Sequence, residues 1–204
     1  MNKKNLCFIS MLFVLLAATL GLARANASDE ISRLATLMDW KPASVVADIG
    51  AGDGRFAFAA AQHVRQGKVF ATELDTDELT KMRAEVKSRK LENVVIVESK
   101  EGDTNLPPEC CDAIFLRHVY HHLTKPAEFD AAIVRSLKPG GRLAILDFPP
   151  RQGLGDVKGV PANRGGHGIP EKIVIEELTA AGLQLDKTIE DWPEDSYCLL
   201  FTKK

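Results

Sequence analysis

The chain has 204 residues, in which 26 lysines and arginines face 28 aspartates and glutamates, so its formal net charge at pH 7 is −2. A near-neutral, slightly acidic chain has no broad electrostatic attraction for nucleic acid, and we expect no nucleic-acid partner. The length is sufficient for one domain with a sizeable core.

The first 27 residues have the pattern of an export signal. Lys3 and Lys4 precede an uncharged, mainly apolar run at 6–23, and Ala25-Asn26-Ala27 is the small-x-small pattern that signal peptidase prefers. We predict cleavage after this pattern and one folded domain at 28–204. The alternative is an uncleaved membrane anchor, because a run of this length is close to the shortest that spans a bilayer. Since positive charge precedes the apolar run, both alternatives place the domain outside the cytosol.

Cleavage leaves three cysteines, Cys110, Cys111 and Cys198, so at least one thiol has no partner. Adjacent cysteines pair only with strain, and we therefore do not expect a disulfide scaffold. A vicinal thiol pair is a possible site for a soft metal, but no third ligand lies at a suitable spacing. The sequence therefore predicts no metal centre at the cysteines.

Strand-like and helix-like segments alternate along the remaining chain. Apolar periodicity, capping residues and prolines predict helices at 29–40, at 56–64, at 76–90 with Thr76 as N-cap, from 126 to before 139, and at 170–182. Short apolar runs predict strands at 45–49, 68–73, 94–97, 113–116, 142–148, 183–188 and 197–202.

This alternation predicts an α/β fold of three layers, Rossmann-like, in which helices cover both faces of a mostly parallel seven-stranded sheet. The last two strands have no helix between them, so the final strand is expected to be antiparallel. Segment 149–169 breaks the rhythm with six glycines and three prolines. We interpret it as a lid or substrate loop; the alternative is a disordered insertion.

Candidate binding residues follow the first two strands, because ligands of open α/β sheets bind at the carboxyl ends of the strands. Alternate glycines at 50, 52 and 54 let the backbone turn sharply, and the helix behind them offers amide donors. A dinucleotide fingerprint would place its third glycine at Arg55, which argues against a nicotinamide cofactor. Glu73 is placed to bind a ribose diol, with Asp75 as the alternative or as a turn or capping residue.

Several segments together resemble the motifs of class I S-adenosylmethionine (SAM) dependent methyltransferases. They are VADIGAGDG at 46–54, Glu73, EGD at 101–103 with LP at 106–107, CDAIF at 111–115 with YHHL at 120–123, and LKPGGRL at 137–143. The resemblance implies SAM as cofactor. It also implies that SAM packs on Gly50, Gly52 and Gly54, with Asp48 organising the loop and holding the methionine end, Glu73 on the ribose, and Asp103 on the adenine side. Because the adenine loop is longer than usual for the family, Glu101 is the alternative to Asp103.

Methyl transfer requires alignment of the acceptor and, for some acceptors, removal of a proton. The catalytic candidates follow the fourth strand: His118 as general base, Arg117 as an anion ligand or a partner for a nearby carboxylate, and His121 as a second site residue. Further candidates are Asp147 after the fifth strand and Arg164 and His167 in segment 149–169. Histidines 118, 121 and 122 lack a fourth ligand, and we predict no zinc site.

The resemblance therefore predicts a SAM-dependent methyltransferase that acts on a small-molecule or envelope acceptor. One alternative is a non-catalytic SAM-binding or interaction module, which the export signal favours because SAM is made in the cytosol. The other is an NAD-dependent oxidoreductase. Membrane association is expected only through the N-terminal apolar segment, and the sequence indicates no particular oligomeric state.

Overall fold

A seven-stranded sheet forms the centre of the protein. The computed structural model describes residues 27–151 and 153–204. The strands are β1 Val45–Ile49, β2 Lys68–Glu73, β3 Val94–Glu98, β4 Cys111–Arg117, β5 Leu137–Asp147, β6 Leu183–Trp192 and β7 Ser196–Lys203. Their order across the sheet is β3-β2-β1-β4-β5-β7-β6, and β7 runs antiparallel to both of its neighbours while the other pairs are parallel. The predicted seven strands and single reversed strand are confirmed.

Helices cover both faces of this sheet. They are α1 at 27–37, α2 Arg55–His63, α3 Thr76–Arg89, α4 Pro126–Ser136 and α5 Glu171–Ala180. Apolar residues of α1, α2 and α3 form one core on one face, and those of α4 and α5 form a second core on the other. The predicted three-layer α/β architecture is therefore confirmed.

Two local predictions are wrong. Asp75, not Thr76, is the N-cap of α3, because its side chain accepts hydrogen bonds from the main-chain N–H groups of Asp77 and Glu78 at 2.8 and 3.1 Å. This assigns Asp75 to the capping alternative. Strand β5 begins at Leu137 rather than at 142, since Leu137 already pairs with Cys111 across a register shift.

Segment 149–169 is tied to the domain at its ends and through Arg164. The main-chain N–H of Ile169 donates to the carbonyl of Phe148 at 2.9 Å. Arg164 is only 1% exposed, and its guanidinium binds the Glu177 carboxylate and the Tyr120 carbonyl. Arg164 therefore anchors the segment. It is not a mobile surface residue, and its guanidinium is not free to close over substrate.

The predicted export signal, apart from its final residue, lies outside the described residues. Within 27–151 and 153–204, none of the helices has the length and apolarity needed to cross a membrane.

Candidate active site

Three glycines shape the loop between β1 and α2. Gly50, Gly52 and Gly54 have φ values of 71°, 54° and 78°, a backbone region that residues other than glycine rarely adopt. A Cβ on Gly50 would lie 2.6 Å from Val119 Cγ2, and one on Gly54 would lie 2.5 Å from Phe58 Cζ. A Cβ on Gly52 would meet no atom within 4 Å. Packing therefore requires two of the glycines, while the third faces open space.

Glu73, at the end of β2, holds this glycine loop in place. Its Oε2 accepts a hydrogen bond from the main-chain N–H of Gly52 at 2.8 Å, and its Oε1 accepts from Leu74 and Asp75 at 2.6 and 3.1 Å. A carboxylate has about four acceptor positions, so one remains for a ribose hydroxyl. The link from Glu73 to Gly52 could not be predicted from the sequence.

A cavity of about 440 Å³ lies beside this carboxylate at the carboxyl edge of the sheet. It is lined by residues from the ends of β1, β2 and β3 and from the segment after β4: Ile49, Gly50, Glu73, Leu74, Ser99, Glu101, Val119, His122, Leu123, Thr124 and Phe129. Glu101 therefore borders the cavity. Asp103 does not; its carboxylate binds Arg135 at 2.7 Å and the main-chain N–H of Asn105 at 2.8 Å.

Asp48 is a buried acid at the base of the site. It is 3% exposed, and its Oδ2 has no hydrogen-bond partner among the described residues. Burial raises the pKa of Asp48 to about 8; the main-chain N–H of Ala57 opposes this rise and the nearby Glu73 adds to it. A sulfonium or ammonium group bound beside Asp48 would oppose this rise, because a nearby positive charge favours the ionised carboxylate. The open face of Gly52, the free acceptor position of Glu73 and the adjoining cavity together fit SAM.

Arg117 is held by two acids. Its Nε donates to Glu30 Oε1 at 2.8 Å and its Nη2 donates to Glu194 Oε2 at 2.9 Å. The same Glu30 oxygen accepts from Trp192 Nε1 at 3.0 Å. Arg117 is thus a partner for carboxylates, the second of the two roles predicted for it, and it connects α1 to the turn between β6 and β7.

His118 has both ring nitrogens close to polar partners. Its Nε2 lies 2.8 Å from Ser196 Oγ, and its Nδ1 lies 3.3 Å from the Arg117 guanidinium. Burial and then the positive charge of Arg117 lower the pKa of His118, which keeps the ring neutral at pH 7. Its φ of 55° fixes a turn directly after β4.

His121 is the most enclosed of the three catalytic candidates that follow β4. It is 2% exposed, and its Nδ1 lies 2.8 Å from Asp147 Oδ1 at the end of β5. Its Nε2 has no hydrogen-bond partner among the described residues. The ring centroids of His122, Phe148 and His167 lie 4.0, 4.8 and 5.3 Å from that of His121. We call these four residues the ring cluster.

The ring cluster adjoins the cavity beside Glu73, because His122 belongs to both. Burial, with the neighbouring His121 adding to it, lowers the pKa of His122 to about 4, so this ring is neutral at pH 7. Sequence reasoning missed the contact between His121 and Asp147. The signal that could have revealed it is their position at the carboxyl ends of strands expected to be neighbours.

No group of three or more histidines, cysteines or acids in the described ranges is arranged to hold a metal ion. The thiols of Cys110, Cys111 and Cys198 are free.

Comparison with solved structures identifies the fold. A solved SAM-dependent methyltransferase from Aquifex aeolicus superposes with a TM-score of 0.74, at 24% identity over 86% of this chain and 90% of that one. Geranyl diphosphate methyltransferase, solved in complex with SAM, gives a TM-score of 0.72 at 15% identity over 93% and 89%. These likenesses show a shared fold, that of class I SAM-dependent methyltransferases.

The sequence comparisons agree. Residues 47–145 match the family described as a methyltransferase domain. An uncharacterized methyltransferase of Geobacillus sp. strain WCH70 is 27% identical over 184 residues, covering 88% of this chain and 80% of that protein. Residues 47–145 thus carry a methyltransferase domain on the fold of class I SAM-dependent methyltransferases, and the comparisons together support a SAM-dependent methyltransferase with SAM as its methyl donor. The oxidoreductase and the non-catalytic module are not supported.

Proposed function

We propose that this methyltransferase acts on a small-molecule acceptor that binds at the ring cluster. The observation that carries the proposal is the position of this cluster, directly beside the cavity that fits SAM. When bound, SAM supplies a methyl group that its sulfonium makes electrophilic. The chain has then to bind the nucleoside, align the acceptor and exclude water.

The cofactor side has a defined set of binding residues. Glu73 would accept a hydrogen bond from the ribose, and Leu74, Ser99 and Glu101 would surround the base. Gly52 leaves space for close approach to its backbone. Asp48 would hold the amino group of the methionine end, directly or through water, because its buried carboxyl has an unused oxygen.

The acceptor side favours a small molecule because it is enclosed. Segment 149–169 brings His167 against His121 and His122, and a hydrogen bond within the segment, from the N–H of Arg151 to the carbonyl of His167 at 3.0 Å, joins its two ends. An acceptor has to fit between this segment and the end of β5, which suits a compact molecule better than a polymer.

Two measurements test this proposal. Titration calorimetry of the purified chain is expected to show one-to-one uptake of SAM and none of NADH. SAM with a radiolabelled methyl group is then incubated with the small-molecule and envelope fractions of cells. We expect label in a small molecule; label confined to envelope macromolecules would contradict the acceptor class.

We also propose that the chain works outside the cytosol, in the periplasm or as a secreted protein. The support is the export pattern at 1–27. Cleavage after Ala27 retains Glu30, the partner of Arg117 and Trp192. N-terminal sequencing of the exported protein should begin at Ser28. Recovery of the intact chain only from the cytosol would contradict export, and recovery of the intact chain from the membrane would indicate the anchor.

A further inference from the structure

His121 and Asp147 form a hydrogen-bonded pair that is removed from solvent. Asp147 Oδ1 lies 2.8 Å from His121 Nδ1 and accepts from the main-chain N–H of Phe148 at 2.9 Å, while Oδ2 accepts from the main-chain N–H of His121 at 3.1 Å. Because an ionised carboxylate only accepts, these contacts assign the proton of the neutral His121 ring to Nδ1. Its Nε2 then holds a lone pair and has no partner among the described residues.

We propose that His121 is the general base of this methyltransferase, that Asp147 positions its ring, and that the acceptor presents a phenol or enol hydroxyl. The inference rests on the proposed function and adds the acceptor's chemistry to it. In the step, the acceptor hydroxyl gives its proton to Nε2 of His121. Its oxygen electron pair forms a bond to the methyl carbon, whose bond to sulfur breaks with its electrons remaining on sulfur. A neutral thioether and a protonated His121 result.

His121 is better placed for this role than His118. Both nitrogens of His118 lie beside polar groups, Ser196 and Arg117, and the guanidinium opposes a second positive charge. When His121 gains a proton at Nε2, the Asp147 carboxylate, which stays bonded to Nδ1 on the other side of the ring, stabilises the positive charge of the imidazolium. The contacts therefore favour protonation of His121 and oppose protonation of His118.

The surroundings of His121 decide the acceptor class. The titratable groups around its ring are Asp147, His122 and His167, with His118 across the Phe148 ring. The neutral His122 ring offers no cation to a carboxylate or thiolate, and the Arg151 guanidinium, 4.3 Å from the Phe148 ring centroid, already donates to the Glu194 carbonyl at 2.6 Å. Burial of an anion without a partner is costly. A neutral hydroxyl avoids that cost, and a planar acceptor can pack against the rings.

A spectroscopic experiment tests the pair without turnover. The purified chain with ¹⁵N-labelled histidine and S-adenosylhomocysteine is studied by long-range ¹H–¹⁵N NMR, with His121→Asn identifying the His121 signals. We expect the neutral ring to carry its proton on Nδ1, and the Nε2 resonance to shift when catechol is added. A neutral ring with its proton on Nε2 would overturn the base assignment.

The same spectrum tests Asp147 as a positioning residue. An amide can hydrogen-bond either tautomer, so Asp147→Asn is expected to populate the Nε2–H form of His121. Retention of the single wild-type tautomer in Asp147→Asn would refute the positioning role.

Kinetics test the base and the acceptor class together. Radiolabelled SAM is offered with catechol, phenol, benzoate or aniline, and we expect label only on the phenolic probes. His121→Asn, whose amide can still reach Asp147, should lower kcat by about 10²- to 10⁴-fold without changing SAM affinity. Its rate should recover as pH rises, because the phenol then ionises by itself.

His63→Asn, a histidine change on α2, is the matched control and should keep the wild-type rate. Full turnover by His121→Asn, or a loss independent of pH, would overturn the base. If no phenolic probe is methylated while SAM still binds, the hydroxyl class is wrong and the methyltransferase assignment stands. Loss of SAM uptake by the wild-type chain would instead contradict the proposed function.

Discussion

Gly52→Ala separates the cost of a strained backbone from the cost of filling the cofactor site. The residue has a φ of 54°, and an added Cβ meets no protein atom within 4 Å. Alanine in this conformation should reduce the free energy of unfolding by about 1–2 kcal/mol. For a chain of this size each kcal/mol lowers Tm by roughly 2–4 °C. The new methyl group also enters the space that SAM would use, and we expect SAM affinity to fall by at least about tenfold, or about 1.4 kcal/mol.

Gly140→Ala is the matched control. Gly140 has a φ of 74° and equally open surroundings, but it lies near the amino end of β5, at the opposite edge of the sheet. Both variants should lose similar stability in thermal denaturation, and calorimetry should show that only Gly52→Ala loses SAM affinity. If Gly52→Ala binds SAM as tightly as the wild type, the glycine face is not the cofactor site. If Gly140→Ala loses as much affinity, the effect is one of general stability.

Three further predictions concern single side chains. Burial, with the nearby Glu177 adding to it, raises the pKa of Asp130 to about 7, against an opposing hydrogen bond from Tyr120, and the unfolded pKa is about 3.9. The stabilisation from this proton uptake, up to roughly 4 kcal/mol, is fully present below about pH 4 and is lost as pH rises through 7. In urea titrations, Asp130→Asn should flatten the dependence of the free energy of unfolding on pH. An unchanged pH dependence would refute this prediction. Glu73→Gln should weaken SAM binding about tenfold while Glu85→Gln on the exposed face of α3 does not, and equal calorimetric affinities would remove Glu73 from the site. Glu30→Gln removes the charge of one of the two carboxylates that pair with the half-buried Arg117 guanidinium, and should lower the free energy of unfolding by about 3 kcal/mol in urea titrations. A loss below about 1 kcal/mol would show that the pair is not structural.

The sheet and its order of elements could be predicted because they depend on local patterns. Short apolar runs ending at glycines or acids gave strands, and the absence of a helix between β6 and β7 gave the reversed strand. The N-cap of α3 was misplaced because Asp75 and Thr76 are both capping residue types. Only the backbone geometry shows which of them lies outside the helix.

The candidate site was less predictable because its contacts join distant parts of the chain. The partner of His118, Ser196, lies 78 positions away, and the partner of His121, Asp147, lies 26 positions away. A short sequence motif cannot show contacts between residues so far apart in the chain. The burial of Arg164 could not be predicted for the same reason. Its glycine-rich segment suggests a surface position, yet Arg164 is buried and pairs with the carboxylate of Glu177, which lies on α5.

The most direct test of the cofactor site is a crystal structure of the chain grown with S-adenosylhomocysteine. We expect the ribose within hydrogen-bond distance of Glu73, the base beside Leu74 and Ser99, and the backbone of Gly52 in contact with the ligand. Electron density for the ligand at another surface, with the cavity beside Glu73 filled only by water, would contradict the account.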